Sequence, residues 1–498
     1  MPKKRPNFLV FYCDQLRADA LGAYGSTVGA TPNLDRLAAG GVLFENHYAT
    51  NPVCMPSRAS LFTGQHPQAH GLLDNGIPLR ECEPTLPGAL AASGYRTHSI
   101  GKIHLTPTSA DASFSGKESR ALWATGALDD WTGPYYGFES VELSLGHGEN
   151  AFKGGGHYGR WVRENFDVDS WSLGRENAEG PKCPALQCWR SNMPAEAYHS
   201  AWVADRAIEF LRGAGDEPFF AFVSFPDPHH SFTPPAEWAA RFDPARMPAP
   251  HRREGENDAK PYHYAAAMKH RQHPTDGGAH RPPAMTDENL RLVSAHYHGA
   301  VALVDDCVGR VLAALDETGL ADDTVVLFTA DHGELLGDHG MLYKGPYPCR
   351  ALLNVPLIAR VPGGAAGRSG TINSCVDVMP TLLDLAGVES PDTVQGVSLR
   401  PALEDASRAV GDGVALATGW SKDSPDFYHK SLYTADWRVT WFPNQDAGEL
   451  YDLRADPHEF ENLFDHPEHR ATRERLMNEL LRRCAQADTR RVPAIAKW

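Results

Sequence analysis

Four short apolar runs, each followed by polar residues, constrain the fold of this chain most strongly. They cover residues 7–13, 219–225, 324–329 and 355–361. Uninterrupted apolar runs of about four to eight residues are typical of strands that are buried on both faces of a parallel sheet. These four runs therefore predict parallel strands inside a large core.

Segments with apolar residues at helical spacing lie between these runs. Such spacing predicts helices over residues 31–39, 57–62, 86–92, 197–211 and 287–315. Strands that alternate with helices indicate an α/β fold, because each helix buries its apolar side on the sheet. Both faces of the predicted sheet are then covered.

Two long segments lack clean periodicity and are rich in Gly, Pro, His and Trp. They span residues 112–195 and 244–286, and we predict that both are long loops over the edge of the sheet. Loops of this length often carry substrate contacts.

The pattern changes after about residue 390. Residues 431–442 and 449–453 resemble short antiparallel strands, and residues 467–486 form a charged amphipathic helix pattern. We therefore predict a catalytic domain over residues 1–390 and a smaller C-terminal domain over residues 391–498.

Composition and charge exclude several classes of protein. With 42% hydrophobic and 22% charged residues among 498, the chain has the composition of a folded protein. A formal net charge of -16 argues against a nucleic-acid partner, and no uncharged apolar stretch approaches the ~20 residues of a membrane span. A small anionic ligand stays compatible with this charge if cations gather in one cleft.

Cysteine usage and the N-terminus predict a cytoplasmic protein. The nine cysteines are odd in number and scattered, which is not typical of a disulfide framework. The apolar part of the first run extends only from Phe8 to Cys13 before Asp14 interrupts it, which is shorter than the apolar region of about 7 to 15 residues in a secretory signal.

Polar pairs follow the predicted strands, where ligands of such sheets collect. Asp14 and Gln15 follow the first strand, and Asp331 and His332 follow a later one. Each aspartate alone could be a helix cap or turn residue. Together the two carboxylates, an amide oxygen and an imidazole predict a divalent cation site.

Cys54 precedes the helix predicted from residue 57, where free backbone N–H groups favour an anion. A thiolate nucleophile could act there, but most free cysteines are small buried apolar residues. The chemistry of the residue leaves both interpretations open.

The chain resembles the sulfatase family of the alkaline phosphatase superfamily. The most specific segment begins at Cys54 and carries the Cys-x-Pro-x-Arg core of the family signature, which ends here at Arg58. The resembling segments occur in the family's order and are residues 6–19, 31–37, 54–64, 101–104, 228–232, 328–333 with Lys344, and 449–453.

The resemblance implies an alkaline phosphatase-like mixed sheet sandwiched by helices, with a smaller C-terminal α+β domain. It implies an arylsulfatase-type hydrolase of sulfate monoesters, in which a maturation enzyme converts Cys54 to formylglycine. One divalent cation is expected on Asp14, Gln15, Asp331, His332 and an oxygen of modified residue 54. Calcium is the expected ion, with manganese as the alternative because His332 offers an imidazole.

The resemblance also implies roles in catalysis. Arg58 and Lys102 steady the hydrated aldehyde, one hydroxyl of which attacks sulfur, and His104 deprotonates the other so that sulfate leaves. His229 and Lys344 bind the sulfate oxygens and assist the departing alcohol. We expect His230 to be a packing or rim residue. His339 could line the pocket, but a structural role is the preferred interpretation.

Two other functions stay open. Relatives with the same nucleophile and an Asp-Gln, Asp-His metal site hydrolyse phosphonate or phosphate esters, although they differ at the segment that holds Lys102 and His104. A non-catalytic anion-binding protein could retain the fold, but it should have lost some costly site residue. The expected partners are a small sulfate ester and the maturation enzyme, and a homo-oligomer stays open.

Overall fold

The computed structural model describes residues 5–269, 285–423 and 426–488 and contains two β-sheets. The strands are β1 (Asn7–Cys13), β2 (Val42–Tyr48), β3 (Arg96–Gly101), β4 (Ser140–Leu143), β5 (Phe219–Phe225), β6 (Thr324–Ala330), β7 (Leu357–Arg360), β8 (Gly367–Ser374), β9 (Ala415–Gly419), β10 (His429–Tyr433), β11 (Trp437–Phe442) and β12 (Ala447–Asp452).

The α-helices of the described residues separate most of these strands. They are α1 (Pro32–Ala39), α2 (Cys54–Thr63), α3 (Pro67–His70), α4 (Leu86–Ala92), α5 (Arg120–Trp123), α6 (Gly156–Asn165), α7 (His199–Arg212), α8 (Ala236–Ala239), α9 (Tyr262–Lys269), α10 (Asp287–Glu317), α11 (Arg350–Leu353), α12 (Val378–Ala386), α13 (Arg400–Glu404) and α14 (Arg470–Ala487). None of them is both long and apolar enough to cross a bilayer.

The large sheet has eight strands in the order β4-β3-β5-β1-β6-β7-β2-β8. Its strands run parallel except β7, which is antiparallel to both β6 and β2. The prediction of a parallel strand at residues 355–361 is therefore wrong in direction, because an apolar run reports burial and not orientation. The mixed α/β class is confirmed.

Burial on both faces explains why the residues of β1 form one apolar run in the sequence. Leu9 and Phe11 belong to a core cluster that includes residues of α7 and α10, whereas Phe8 and Val10 belong to a cluster with residues of α2, α4 and α12. Successive side chains of a strand point to opposite faces. Helices therefore cover the sheet on both sides, as expected.

Four strands of the large sheet, β2, β3, β4 and β8, were not predicted. Polar residues interrupt them, as in Arg-Thr-His-Ser-Ile-Gly of β3. The two segments predicted as long loops also contain regular elements, since residues 112–195 include β4 and α6 and residues 244–286 include α9. Residues 270–284 of the second segment lie outside the described residues.

The small sheet has the antiparallel order β12-β11-β10-β9. Leu476 and Leu480 of α14 pack with Leu432 and Leu450 of this sheet in a separate apolar cluster. The smaller C-terminal antiparallel unit is confirmed. The boundary near residue 390 stays a prediction.

Candidate active site

Adjacent strands bring the two aspartates of the sequence prediction together. Cys13 pairs with Ala330 in the register of β1 and β6, so Asp14 and Asp331 emerge side by side at the carboxyl edge. Cys54 is the first residue of α2, and its Sγ lies 3.2 Å from His332 Nε2. One ligand atom from each of these four residues lies within 4.8 Å of the others. All four side chains are buried.

Gln15 completes a donor set that fits a divalent cation. Its Nε2 donates to Glu334 and lies 2.9 Å from His230 Nδ1, while its Oε1 is buried without a hydrogen-bond partner. A buried acceptor of this kind requires a partner, which a cation provides. Burial and the charge of Lys344 lower the pKa of His332 to about 4, so the imidazole is neutral and free to bind a metal.

Arg58 joins the two carboxylates. Its Nε donates to Asp331 Oδ2 at 2.8 Å and its Nη2 to Asp14 Oδ2 at 3.2 Å. Its Nη1 donates to Ser224 Oγ at 3.1 Å and to the Lys102 carbonyl at 2.9 Å. The guanidinium is fully buried and links α2 to the carboxyl ends of β3, β5 and β6.

Two lysines surround residue 54 and Asp14. Lys102 Nζ forms an ion pair with Asp14, and Lys344 Nζ lies 2.7 Å from Cys54 Sγ and 3.1 Å from His332 Nε2. Burial alone would raise the pKa of the Asp14 carboxyl, but the lysines and His229 hold it well below its ordinary value. Asp14 is therefore ionised in a strongly cationic setting.

The histidines of the prediction lie at the more open part of the site. His104 and His229 are 8% and 7% exposed, compared with 1% for Cys54. Burial and Lys102 lower the pKa of His104 well below its ordinary value, and its buried Nδ1 lacks a hydrogen-bond partner. Burial and His147 lower the pKa of His229 in the same way. Both imidazoles are therefore neutral when no anion is bound.

Two further residues of the site, His147 and Glu334, were not predicted from the sequence. His147 stacks on His229 at a centroid distance of 3.6 Å, and its Nε2 lies 2.6 Å from Lys102 Nζ. Glu334 and His230 hold the Gln15 amide. His230, which we expected to be a packing or rim residue, is buried and packs against Tyr343 while it contacts this expected metal ligand. His147 stands between Gly146 and Gly148 in a segment predicted as loop, where no periodicity marked it.

His339 lies apart from this cluster. Its Nδ1 is 2.7 Å from Glu256 Oε2 and 3.1 Å from Lys260 Nζ, and its side chain is 4% exposed. It belongs to a separate buried group.

The fold and this site define an enzyme of the alkaline phosphatase superfamily, with a nucleophile position flanked by a carboxylate-rich cation site and two lysines. The family model named Sulfatase matches residues 6–388, and the model named N-sulphoglucosamine sulphohydrolase, C-terminal, matches residues 337–486. The chain belongs to the sulfatase family. The predicted family and its class of enzyme, the sulfuric ester hydrolases, are confirmed.

Relatives of known name carry two kinds of description. The chain is 32% identical to the multifunctional alkaline phosphatase superfamily protein PehA of Trinickia caryophylli, over 94% of this chain and 93% of that one. It is 28% identical to an arylsulfatase of Clostridium perfringens, over 94% and 92%. The crystal structure of the phosphonate monoester hydrolase of Agrobacterium radiobacter superposes with a TM-score of 0.82 at 27% identity, over 97% and 96%.

Proposed function

We propose that this protein hydrolyses sulfate monoesters of the aryl type, with residue 54 converted to formylglycine and a divalent cation beside it. The observation that carries the proposal is the position of Cys54, whose Sγ lies within 3.5 Å of Lys344, His332 and Asp14. Burial and the charge of Asp14 raise the pKa of the Cys54 thiol. A neutral thiol is a weak nucleophile, which favours the modified residue over a thiolate.

Each added group would supply one kind of chemistry. A hydrated formylglycine supplies a hydroxyl nucleophile together with a second hydroxyl, through which the aldehyde is recovered. A divalent cation on Asp14, Gln15, Asp331, His332 and an oxygen of residue 54 would lower the pKa of that nucleophile. Calcium is the proposed ion because oxygen donors predominate, and manganese is the alternative because His332 is an imidazole.

His104 is the proposed base. Burial and Lys102 disfavour its protonated form, so the imidazole is neutral and has a free lone pair. A divalent cation that lowers the pKa of the hydroxyl group at residue 54 would allow a proton to pass to this lone pair. Glu118 accepts the backbone N–H groups of residues 104, 105 and 106 and thereby holds the loop that carries the imidazole. Arg58 and Lys102 are the proposed groups that orient the hydrated aldehyde.

His229 and Lys344 are the proposed contacts for the sulfate group and the departing alcohol. A sulfate monoester gathers negative charge on its bridging oxygen as the S–O bond breaks, and nearby cations and acids stabilise that charge. Lys344 supplies a fixed cation near residue 54, and His229 lies at the more exposed side, where an alcohol can leave.

A phosphonate or phosphate monoester is the second candidate substrate. The structural similarity to a phosphonate monoester hydrolase supports it, and so does the Asp-Gln, Asp-His pattern of the cation site. Lys102 and His104 favour the sulfate ester, because the sequence patterns of phosphonate hydrolases differ at this segment. Both reactions need the same nucleophile position.

Turnover of a panel of nitrophenyl sulfate, phosphate and phenylphosphonate esters on one preparation tests the proposal. We expect kcat/KM to be highest for the sulfate ester, and mass spectrometry of the peptide that carries residue 54 to show formylglycine. Co-expression with a formylglycine-generating enzyme should raise both the modified fraction and the activity. A fully active preparation with only unmodified cysteine would overturn the mechanism, and a higher kcat/KM for the phosphonate would select the second candidate.

A further inference from the structure

A second cluster of metal-ligand side chains lies outside the candidate active site. His339, Cys349 and Glu459 each offer one ligand atom, and these atoms lie within 4.8 Å of one another. The three residues are 3%, 1% and 1% exposed. An imidazole, a thiol and a carboxylate in this arrangement match the donor types of zinc sites.

The hydrogen bond at the Nδ1 atom of His339 is an independent indication. Glu256 Oε2 lies 2.7 Å from Nδ1, which leaves Nε2 free of that carboxylate. Histidines that bind metals commonly donate their second ring N–H to a carboxylate, which sets the tautomer and the ring orientation. Lys260 Nζ is 3.5 Å from Glu256 Oε2 and 3.1 Å from Nδ1, so it neutralises this carboxylate.

The charges around the cluster are suited to a divalent cation. Arg438 lies 2.9 Å from Glu449 and 2.5 Å from Glu459, and Lys260 lies beside Glu256. A thiol that binds a metal is deprotonated. Burial alone would lower the pKa of His339, but Cys349 and Glu256 raise it to about 9, so a metal ion would displace a proton from the imidazole as well as from the thiol. In that deprotonated state the three carboxylates and the thiolate exceed the two cationic side chains by two charges, which a dication balances.

We propose that His339, Cys349 and Glu459 bind a zinc-class transition-metal ion with a structural role. His339 and Cys349 lie in the segment between β6 and β7 that carries Lys344, whereas Glu459 follows β12 of the small sheet. The ion would therefore join the C-terminal sheet to the segment that places a cation in the active site. A cavity of about 430 Å³, lined in part by His339 and Glu459, gives the ion a route to solvent.

Cobalt(II) substitution tests the site in the full chain. The background variant is Cys54→Ala, which removes the thiol of the first cation site. After zinc is exchanged for cobalt, we expect a thiolate-to-cobalt charge-transfer band in the near ultraviolet. Adding Cys349→Ala should abolish the band and remove about one equivalent of bound cobalt. The matched control Cys307→Ala, which removes a buried thiol of α10, should retain both.

A second variant protects the test against loss of folding. His339→Gln retains Cys349, so it should weaken cobalt binding and shift the band, and circular dichroism checks that the fold is intact. X-ray absorption on zinc-loaded Cys54→Ala should show one sulfur ligand. The proposal is overturned if the Cys54→Ala protein shows no band, or if the band survives Cys349→Ala. The cobalt measurements do not depend on ester hydrolysis, which the panel of sulfate, phosphate and phosphonate esters tests separately.

Discussion

The catalytic edge of the large sheet and the interior of the small sheet both bury charged side chains, but they pair them differently. At the edge, cations converge on one carboxylate, since Asp14 faces Arg58, Lys102 and Lys344. In the small sheet the carboxylates outnumber the cations, since one arginine, Arg438, lies between Glu449 and Glu459.

The difference shows what each group of buried charges is suited to do. An excess of cations with unsatisfied acceptors, such as Gln15 Oε1 and His104 Nδ1, leaves the edge able to bind an anion and a metal. Arg438 of β11 pairs with Glu449 of β12 and with Glu459, which follows β12, and these pairs hold the two strands and the following segment together. Buried ion pairs of this kind stabilise the fold only while every partner is present, because removing one partner leaves an uncompensated buried charge.

Removing the nucleophile position should produce the largest effect. Cys54→Ala should lower kcat on the order of 10⁴-fold or more, because the attacking group is lost. Its thermal unfolding should stay close to that of the parent, since residue 54 is the first residue of α2 and tolerates a small side chain. The matched Cys307→Ala variant should retain activity. Retained turnover in Cys54→Ala would place the nucleophile elsewhere.

Removing the active-site cation should abolish nearly all activity. Arg58 already bridges Asp14 and Asp331, but a guanidinium cannot supply the Lewis acidity that a divalent cation would give the nucleophile at residue 54. Dialysis against a chelator should inactivate the enzyme, and calcium or manganese should restore it, in an order that identifies the ion. Full activity in protein shown by elemental analysis to hold no divalent metal would refute the cation site.

Removing His229 should produce an effect that depends on the leaving group. The negative charge of a bound sulfate ester would raise the pKa of His229 and favour its protonated form, which can act as a general acid. A general acid contributes about 10² to 10⁴ in rate, and it matters most for basic alkoxides. His229→Ala should therefore slow alkyl or phenyl sulfates far more than nitrophenyl sulfate. The measurement is a plot of kcat against leaving-group pKa for both proteins. Parallel slopes would restrict His229 to binding sulfate and leave Lys344 as the candidate acid.

Breaking the buried ion pairs of Arg438 in the small sheet should lower the stability of the fold without changing catalysis. Arg438→Met leaves two buried carboxylates without their cation and should lower the free energy of unfolding by about 3 to 5 kcal/mol. Chemical denaturation measures this change. The kcat per folded molecule should remain near that of the parent. A large loss of kcat in folded protein would show that the small sheet and the active site are coupled.

An exposed pair on the same sheet should matter least. The Arg454 side chain, which is 75% exposed, lies 2.5 Å from Asp436. Arg454→Ala should change the free energy of unfolding by less than about 1 kcal/mol, because water and salt screen such pairs. If Arg454→Ala lowered the free energy of unfolding as much as Arg438→Met, burial would not explain why the two ion pairs differ in their contribution to stability.

The accuracy of the sequence predictions followed the burial of each strand. The bounds of β1 and β5 match the predicted runs, since both strands are apolar on two faces. β3 was missed although it lies between β4 and β5, because Arg96 and His98 interrupt its apolar pattern. The direction of β7 could not be read from its residues, since burial in a sheet looks the same in either orientation.

The sequence by itself determined the family, the class of enzyme and the set of candidate residues, because the signature around Cys54 and the polar pairs after strands are local in the chain. Only the tertiary structure decided how they meet. It placed Arg58 between both aspartates, His147 on His229, and Cys349 beside His339 and Glu459. Contacts between residues so distant in sequence depend on strand order and helix packing, which no local pattern encodes.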